Sequence, residues 1–226
     1  MNMIVLKPAS LGNMTFKGNI MKKLTLVSVV LLQAVFQNAL AAQSDSAGRT
    51  MVARGDVNAI STDDNAARKL KRRSNVFQND KVVTGEKSKT QLRMSDGGMI
   101  SLKENSELLI TEYQAAEQGD KGSVVLSLVK GGLRSITGAI KEEKGDYKLK
   151  TPVASIGIRG THYEVELIDG ELFLAVWDGA IDVALVNEKA KYFSLGKDEE
   201  YSYAKINQLG KINFMLAPPK NFEAGM

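Results

Sequence analysis

Hydrophobic and polar residues alternate in short runs along this chain from Met51 to about residue 205. Alternation with a period of two is typical of strands that bury one face. Turns rich in Gly, Asp, Asn or Lys separate the runs, and no convincing helical pattern lies between them. Strands are predicted at residues 81–84, 91–94, 99–102, 107–113, 123–129, 147–151, 155–158, 162–168, 171–177 and 180–186.

Three Asp-Gly pairs sit between these runs, at Asp96-Gly97, Asp169-Gly170 and Asp178-Gly179. Both residue types tolerate the positive φ of tight hairpin turns, so three hairpins are predicted. A weak repeat of strand, turn and strand with unequal spacing supports the same picture. We therefore predict an all-β fold of stacked short antiparallel hairpins, forming a compact solenoid-like or sandwich-like domain.

One predicted strand, 171–177, is apolar on both faces, which indicates a central strand covered on both sides. Weaker patterns at 192–195 and 200–203 predict edge strands. Residues 42–50 are rich in Ser, Ala and Gly and are interpreted as a linker, so the domain is predicted to span 51–205. Residues 206–226 are predicted to be a tail that packs partly on the domain through Phe214, Met215 and Leu216.

The N-terminal 41 residues resemble a secretory signal peptide with extra residues upstream. Lys22 and Lys23 follow Met21, an apolar stretch of about 13 residues comes next, and Ala39 and Ala41 suit signal peptidase. The stretch is shorter than the ~20 residues of a membrane-spanning helix. We expect cleavage after Ala41, a start at Met1 or Met21, and a periplasmic or secreted protein; an uncleaved anchor is the alternative.

The charge of the chain also changes at this segment. The formal net charge is +4, from 30 basic and 26 acidic residues, and residues 1–41 hold four lysines and no acid. The expected mature chain is therefore neutral and has no overall field that would attract nucleic acid or anionic membranes. One dense basic run, residues 67–75, lacks interleaved aromatic residues and is interpreted as a solvated turn or a contact for anionic envelope polymers.

Catalytic chemistry has few candidates in this sequence. The chain has no cysteine and a single histidine, His162, and no nucleophile or phosphate-loop motif accompanies it. We expect an exposed, non-catalytic histidine, with no cofactor and no metal site. The acidic pair Glu164 and Glu166 shares its polar face and is expected to be solvated. A hydrolase that uses His162 with a nearby carboxylate is the enzymatic alternative, although its constellation is incomplete.

The phase of alternation slips by one residue at Arg159-Gly160. Ile156 and Ile158 are apolar at even positions, whereas Tyr163 continues the apolar series at odd positions. A β-bulge or sharp bend at Gly160 explains the slip, because glycine accepts backbone conformations that other residues resist. Arg159 beside the bend is expected to bond nearby carbonyls or a carboxylate, with ligand binding as the alternative.

These residues resemble the FecR domain family. The resemblance covers about residues 51–205 through the segments VARGDVNAI, LVKGGLRS, LKTPVASIGIRGTHYEVEL and VWDGAIDV, with part of 70–110. It implies a non-enzymatic, β-rich domain of the cell envelope. Its most specific positions, expected to be structural, are Thr151, Pro152, Gly157, Arg159, Gly160 and Thr161.

Three functions follow from the resemblance and the composition. The first is an envelope sensor or adaptor that binds another envelope protein. The alternative is a structural module associated with polysaccharide or the cell wall. Members of the family also regulate extracytoplasmic sigma factors in iron transport, but the 20 residues before Met21 are too few for an anti-sigma domain, so this role is expected less.

Overall fold

The protein is described here from a computed structural model, which describes residues 46–114, 122–140, 145–188, 191–220 and 222. The predicted signal peptide and its cleavage site lie outside these ranges. The described residues contain strands and no α-helix, and among them no helix is long and apolar enough to span a membrane. The strands are β1 (Gly48–Arg54), β2 (Val57–Ser61), β3 (Ala67–Lys69), β4 (Asn75–Val76), β5 (Asp80–Thr84), β6 (Lys89–Met94), β7 (Met99–Leu102), β8 (Glu107–Gln114), β9 (Gly122–Ile136), β10 (Gly145–Lys150), β11 (Ala154–Ile168), β12 (Glu171–Leu185), β13 (Tyr192–Gly196), β14 (Tyr203–Ile206) and β15 (Ile212–Met215).

Three long strands organise the sheet. Strands β9, β11 and β12 have 15 residues each and contain a glycine with positive φ: Gly131 at 74°, Gly160 at 61° and Gly179 at 75°. β11 and β12 pair with each other on both sides of their glycines, whereas each of the three strands changes its other neighbours there. The three strands therefore pass from one half of the sheet into the other.

The strands on each side of the bends pair in one continuous row, and we name the two rows half A and half B. Half A runs in the order β3, β2, β5, β8, β9, β10, β11, β12, β13. Half B runs in the order β4, β1, β6, β7, β9, β11, β12, β14, β15. Each half thus contains one segment of each long strand, flanked by shorter strands.

The inner faces of the two halves share one hydrophobic core. Buried residues alternate along the strands, as in β8 and β10, and one cluster includes Leu126 of half A and Val165 of half B. A polar contact also joins the halves: the Tyr113 hydroxyl of β8 donates to Asp96 Oδ1 in the β6–β7 turn at 2.5 Å. The predicted all-β fold is confirmed, and the shared core favours its sandwich-like alternative over the solenoid-like one.

Two of the three predicted hairpins are present. The turns at Asp96-Gly97 and Asp169-Gly170 connect β6 to β7 and β11 to β12. The hairpin predicted at Asp178-Gly179 is wrong, because β12 continues through this pair. Gly179 takes its positive φ in a bend opposite Gly160, where the register between β11 and β12 shifts. A positive φ serves a bulge as well as a turn, so the Asp-Gly pair alone could not distinguish them.

The strand pairing is not wholly antiparallel. Strand β10 pairs in parallel with the first segment of β9, from Gly145 opposite Gly122 to Lys150 opposite Ser127. Strand β9 ends in half B at Ile136, whereas β10 begins in half A at Gly145, beside the first residue of β9. Strand β10 consequently runs in the direction of β9, and the prediction of antiparallel hairpins alone is wrong here.

The domain extends further at both ends than the alternation predicts. Strand β1 begins at Gly48, and Ala47 and Thr50 are buried, so the predicted linker does not continue to residue 50. The edge strand predicted at 200–203 is wrong in bounds and position, because the strand found there is β14, Tyr203–Ile206, which lies between β12 and β15. The predicted tail contributes a further strand, β15, which pairs with β14.

The apolar contacts predicted for the tail and for strand 171–177 are correct only in part. Phe214 packs on Phe193 and Tyr201, whereas Leu216 is 90% exposed. Strand β12 is central, between β11 on one side and β13 and β14 on the other. Its inner face is buried, but Phe173 and Trp177 on the outer face are only half-buried.

Candidate functional site

Thr151 and Pro152 begin the signature, the set of positions most specific to the family resemblance, and they form the turn from β10 to β11. The Thr151 hydroxyl accepts hydrogen bonds from the backbone N–H of Ala154 at 2.9 Å and of Val153 at 3.2 Å. Pro152 is exposed, whereas Thr151 is buried. A threonine side chain that closes such a turn replaces backbone hydrogen bonds that the bend removes. These two residues therefore shape the entry into β11.

The second part of the signature holds the long strands together at their bends. Thr161 is buried, donates from Oγ1 to Ala180 O at 2.7 Å and donates from its backbone N–H to Thr137 Oγ1 at 2.9 Å. The register of β11 on β12 shifts at Arg159–His162, and Gly160 has φ 61°. The bulge predicted from the phase slip is thus present at Gly160. Thr161 ties it to β12 and to the residues after β9.

We expect Thr161→Val to destabilise the protein by about 1–3 kcal/mol, because it leaves the buried Ala180 carbonyl without its hydroxyl donor while nearly preserving side-chain shape. Urea denaturation measures the free energy of unfolding. The matched control is Ser194→Ala, which removes an exposed hydroxyl bonded to Asp182 and should cost less than about 0.5 kcal/mol. Equal costs for both variants would contradict a pinning role for Thr161.

Arg159 pairs with carboxylates. One of its terminal nitrogens lies 3.1 Å from Asp182 Oδ1 and 3.1 Å from Glu199 Oε1, and the side chain is 31% exposed. The carboxylate contact expected for Arg159 is therefore present. Gly157 faces Asp182 across the strands, and a methyl group at Gly157 would meet Asp182 Cβ at an ordinary 3.8 Å. Nothing in these contacts requires glycine at position 157.

His162 is half-buried, so the prediction of an exposed side chain is wrong. Arg134 Nε donates to His162 Nε2 at 2.9 Å, and the His162 ring lies 6.5 Å from the Trp177 ring, centroid to centroid. A nitrogen that accepts from a guanidinium cannot also carry a proton, so this geometry favours the neutral imidazole. Burial, followed by the charge of Arg134, lowers the pKa of His162, and Asp178 opposes that shift.

His162 should make the protein less stable in mild acid. Because its pKa is lowered in the folded state, its contribution is fully present above the ordinary value of 6.5 and is lost as the pH falls towards the folded-state pKa. Urea denaturation between about pH 7.5 and 5.5 should show a smaller loss of stability for His162→Gln than for the unmodified chain. The same pH dependence in both proteins would refute this assignment.

Glu164 is also placed differently from the prediction. It was expected on a solvated face, but its side chain is fully buried, and Lys103 Nζ lies 2.9 Å from its Oε1 and 2.8 Å from Glu166 Oε2. The ring of Phe222 lies 4.8 Å from the same Lys103 nitrogen. The alternation of β11 places Glu164 on the outer face correctly. Sequence reasoning missed the C-terminal segment that covers this face.

The basic run at 67–75 is divided by the fold. Arg68 forms a two-pronged ion pair with Asp80, which is buried, and its guanidinium lies 5.2 Å from the centre of the Phe77 ring. Lys71 and Arg72 are exposed in the turn that leads to β4. The solvated-turn interpretation therefore holds for the second part of the run and is wrong for Arg68.

The opposite edge of the sandwich is formed by β13 and β15 and carries aromatic side chains. There Phe214 of β15 stacks on Tyr201 at 4.9 Å and meets Phe193 of β13 edge-on at 5.3 Å. Lys191 Nζ donates to Gly210 O at 3.3 Å and joins the starts of β13 and β15. Four apolar or aromatic side chains are exposed along this edge, which we name the apolar edge: Tyr192, Leu209, Phe214 and Leu216, at 80%, 87%, 40% and 90%.

Metal and ligand sites are sparse in the ranges that the structure covers. Within those ranges no group of three or more His, Cys, Asp or Glu side chains could hold a metal ion. A shallow depression of about 200 Å³ lies between β1, β6 and β7, lined in part by Arg54, Lys89 and Gln91. The apolar edge is therefore the more distinctive surface, and sequence reasoning missed it because β15 was interpreted as a tail.

Comparison with known proteins gives a family for the central part of the chain. No curated protein matches the sequence. Two crystal structures of a candidate anti-sigma factor from Parabacteroides distasonis, at 1.65 and 2.50 Å resolution, are similar at 15% identity with TM-scores of 0.46 and 0.47. Each comparison covers 59% of this chain, which spans 57% of the length of that protein. Residues 80–182 match the family model described as FecR protein, and the chain therefore contains a FecR domain.

Proposed function

We propose that this chain is a non-enzymatic adaptor of the cell envelope, which binds another envelope protein as part of a signalling pathway. The FecR domain at residues 80–182 supports the general role, and the apolar edge supports binding to a protein. The apolar edge is the observation that carries the proposal. Exposed apolar side chains grouped on one surface are typical of protein interaction sites.

The strands at this edge lack the features that usually prevent edge pairing. Natural edge strands are protected by lysines, prolines or very short length. Strand β13 reads YFSLG and β15 reads INFM, so neither contains a charge or a proline. At the other edge β3 reads ARK and β4 has two residues. The contrast supports β13 and β15 as the docking site in this proposal.

The proposed location depends on export. A chain that begins Met-Lys-Lys at Met21 and carries Ala39 and Ala41 after an apolar stretch should be cleaved after Ala41. Mass spectrometry of the protein recovered from the periplasm or the medium should give Ala42 as its first residue. An intact N-terminus in the membrane fraction would contradict export as a free protein.

Site-specific photo-crosslinking in the source cell tests the docking surface. A photoreactive residue at position 192 or 216 should capture the same second protein, because both positions lie on the apolar edge. The control places the residue at exposed position 72, at the opposite edge, and should capture none of that protein. Tyr192→Lys and Leu216→Lys should then reduce affinity for the purified partner by tenfold or more. Equal capture at all three positions would reject the proposal.

The exposed basic turn favours a second candidate, a module associated with anionic polysaccharide. Lys71, Arg72 and Arg73 are exposed together in the turn before β4. Such a surface should bind lipopolysaccharide or peptidoglycan at low salt and release it as salt is raised. Arg72→Ser/Arg73→Ser should abolish retention while leaving capture of the protein partner intact. Lack of retention of the unmodified chain at low salt would remove this candidate.

A further inference from the structure

A buried group of charges lies on the outer face of half B. Lys103 Nζ contacts both Glu164 and Glu166 at 2.8–2.9 Å, and Glu164 Oε2 has no hydrogen-bond partner among the residues that the structure describes. The outer face of a sheet is ordinarily hydrated. When charged side chains are buried there, the attraction between them offsets only part of the free-energy cost of removing them from water. The burial of these charges therefore requires an explanation other than stability.

The covering segment is the chain that follows β15. Pro219 is buried and Phe222 is only 5% exposed, with its ring 4.8 Å from Lys103 Nζ. The backbone N–H of Phe222 donates to Pro219 O at 2.9 Å, so the chain turns just before the ring. Phe222 thus places an aromatic face against a nearly buried ammonium group, where a cation–π contact is stronger than at an exposed site.

The course of this segment is set by the order of the strands. Strands β14 and β12 lie between β15 and β11, which carries Glu164 and Glu166. The residues after β15 therefore have to pass β14 and β12 before Phe222 reaches Lys103. The backbone bends at Leu216 and Ala217 and turns at Lys220, and Pro218 and Pro219 lie between these bends with the φ that proline fixes.

A glycine on β9, Gly132, leaves space on the sheet surface for the side chains of Lys103 and Glu166. A Cβ at Gly132 would lie 2.9 Å from Lys103 Cδ and 3.0 Å from Glu166 Cγ. Glycine therefore lets these two long side chains lie flat across β9. We name this surface the Lys103 groove, formed by Lys103, Gly132, Glu164 and Glu166.

We propose that the Lys103 groove is a binding site for a proline-containing segment that sets an aromatic ring on Lys103. The chain's own Phe222 lies on Lys103 in the absence of a competitor, and the sequence Pro-Pro-Lys-Asn-Phe that ends at this residue shows which chemistry fits. A partner segment with two prolines, and an aromatic residue three positions after the second, competes with them for the groove. The site is separate from the apolar edge and does not depend on the function proposed for it.

Peptide competition on the full-length protein tests this proposal. A fluorescein-labelled peptide of sequence Ala-Pro-Pro-Lys-Asn-Phe should bind the Phe222→Ala variant at least tenfold more tightly than the unmodified chain, whose groove is occupied. The same peptide with alanine in place of phenylalanine should bind that variant at least tenfold more weakly than the original peptide, since it lacks the ring. The second comparison changes only the peptide and leaves the protein fold untouched.

A second lysine of the sheet provides a matched control. Lys205 lies 2.6 Å from Glu171 Oε2 and 5.2 Å from the centre of the Phe173 ring, the same kind of contact outside the groove. In the Phe222→Ala background, Lys103→Met should abolish peptide binding, Lys103→Arg should retain most of it, and Lys205→Met should leave it unchanged. Equal affinity of the Phe222→Ala and unmodified proteins, or equal binding of the two peptides, would overturn the proposal, as would equal losses from Lys103→Met and Lys205→Met.

Discussion

Gly160→Val should lower the free energy of unfolding by about 3 kcal/mol or more and the melting temperature by roughly 10 °C. Gly160 has φ 61°, a conformation that a β-branched residue adopts only with strain. The Gly160 carbonyl also lies against Gly179, where an added Cβ would be only 2.3 Å from it. A shift of the backbone at Gly160 would therefore disturb β11 and β12 at once.

Two variants separate this effect from simpler ones. His162→Ala, two residues away, removes a half-buried ring and should cost about 1 kcal/mol. Gly97→Val introduces the same strain, because Gly97 has φ 88°, but no atom lies within 4 Å of its added Cβ. It should cost less than Gly160→Val. Equal melting temperatures for Gly160→Val and His162→Ala would show that Gly160 is not required to maintain the bend.

Lys103→Met should also destabilise the protein by about 3 kcal/mol, because it leaves the buried Glu164 carboxylate without its cation. Chemical denaturation near neutral pH is the measurement. The double variant Lys103→Met/Glu164→Gln should recover part of the loss, since both charges are then absent. Recovery of stability in the double variant shows that the two charges interact and do not act independently.

The matched surface pair gives the control for this second prediction. Lys205 and Glu171 form a shorter contact, 2.6 Å, but their side chains are 33% and 29% exposed. Lys205→Met should therefore cost less than about 1 kcal/mol. A similar cost for both lysines, or no recovery in the double variant, would mean that burial of Glu164 does not determine the energetics of the cluster.

Local signals in the sequence predicted the parts of the fold that depend on neighbouring residues. The Asp169-Gly170 hairpin was predictable because alternation continues on both sides of the turn. The bulge at Gly160 was predictable because the phase of the apolar residues changes there. Asp178-Gly179 has the same two residues as a hairpin turn, but Gly179 forms a bend because it packs against Gly160, 19 residues earlier in the chain.

The parts that could not be predicted depend on contacts between distant segments. Glu164 is polar and stands on the outer face, as its position in β11 indicates, yet Phe222, 58 residues later, covers its neighbour Lys103. Arg68 stands in a basic run, but Asp80 on a later strand removes it from the solvated surface. The apolar edge exists only because β13 and β15 come together from different halves.

The three bent strands also have a consequence for how the protein opens. Since β9, β11 and β12 give hydrogen bonds to both halves, neither half can separate without breaking pairs in the other. Backbone amides on the two sides of Gly131, Gly160 and Gly179 should therefore exchange with solvent as one cooperative unit, at the rate of global unfolding. Strand β15 pairs with β14 alone among the described strands, so its amides should exchange before those of the three long strands, and it lies at the edge where we expect a partner to dock.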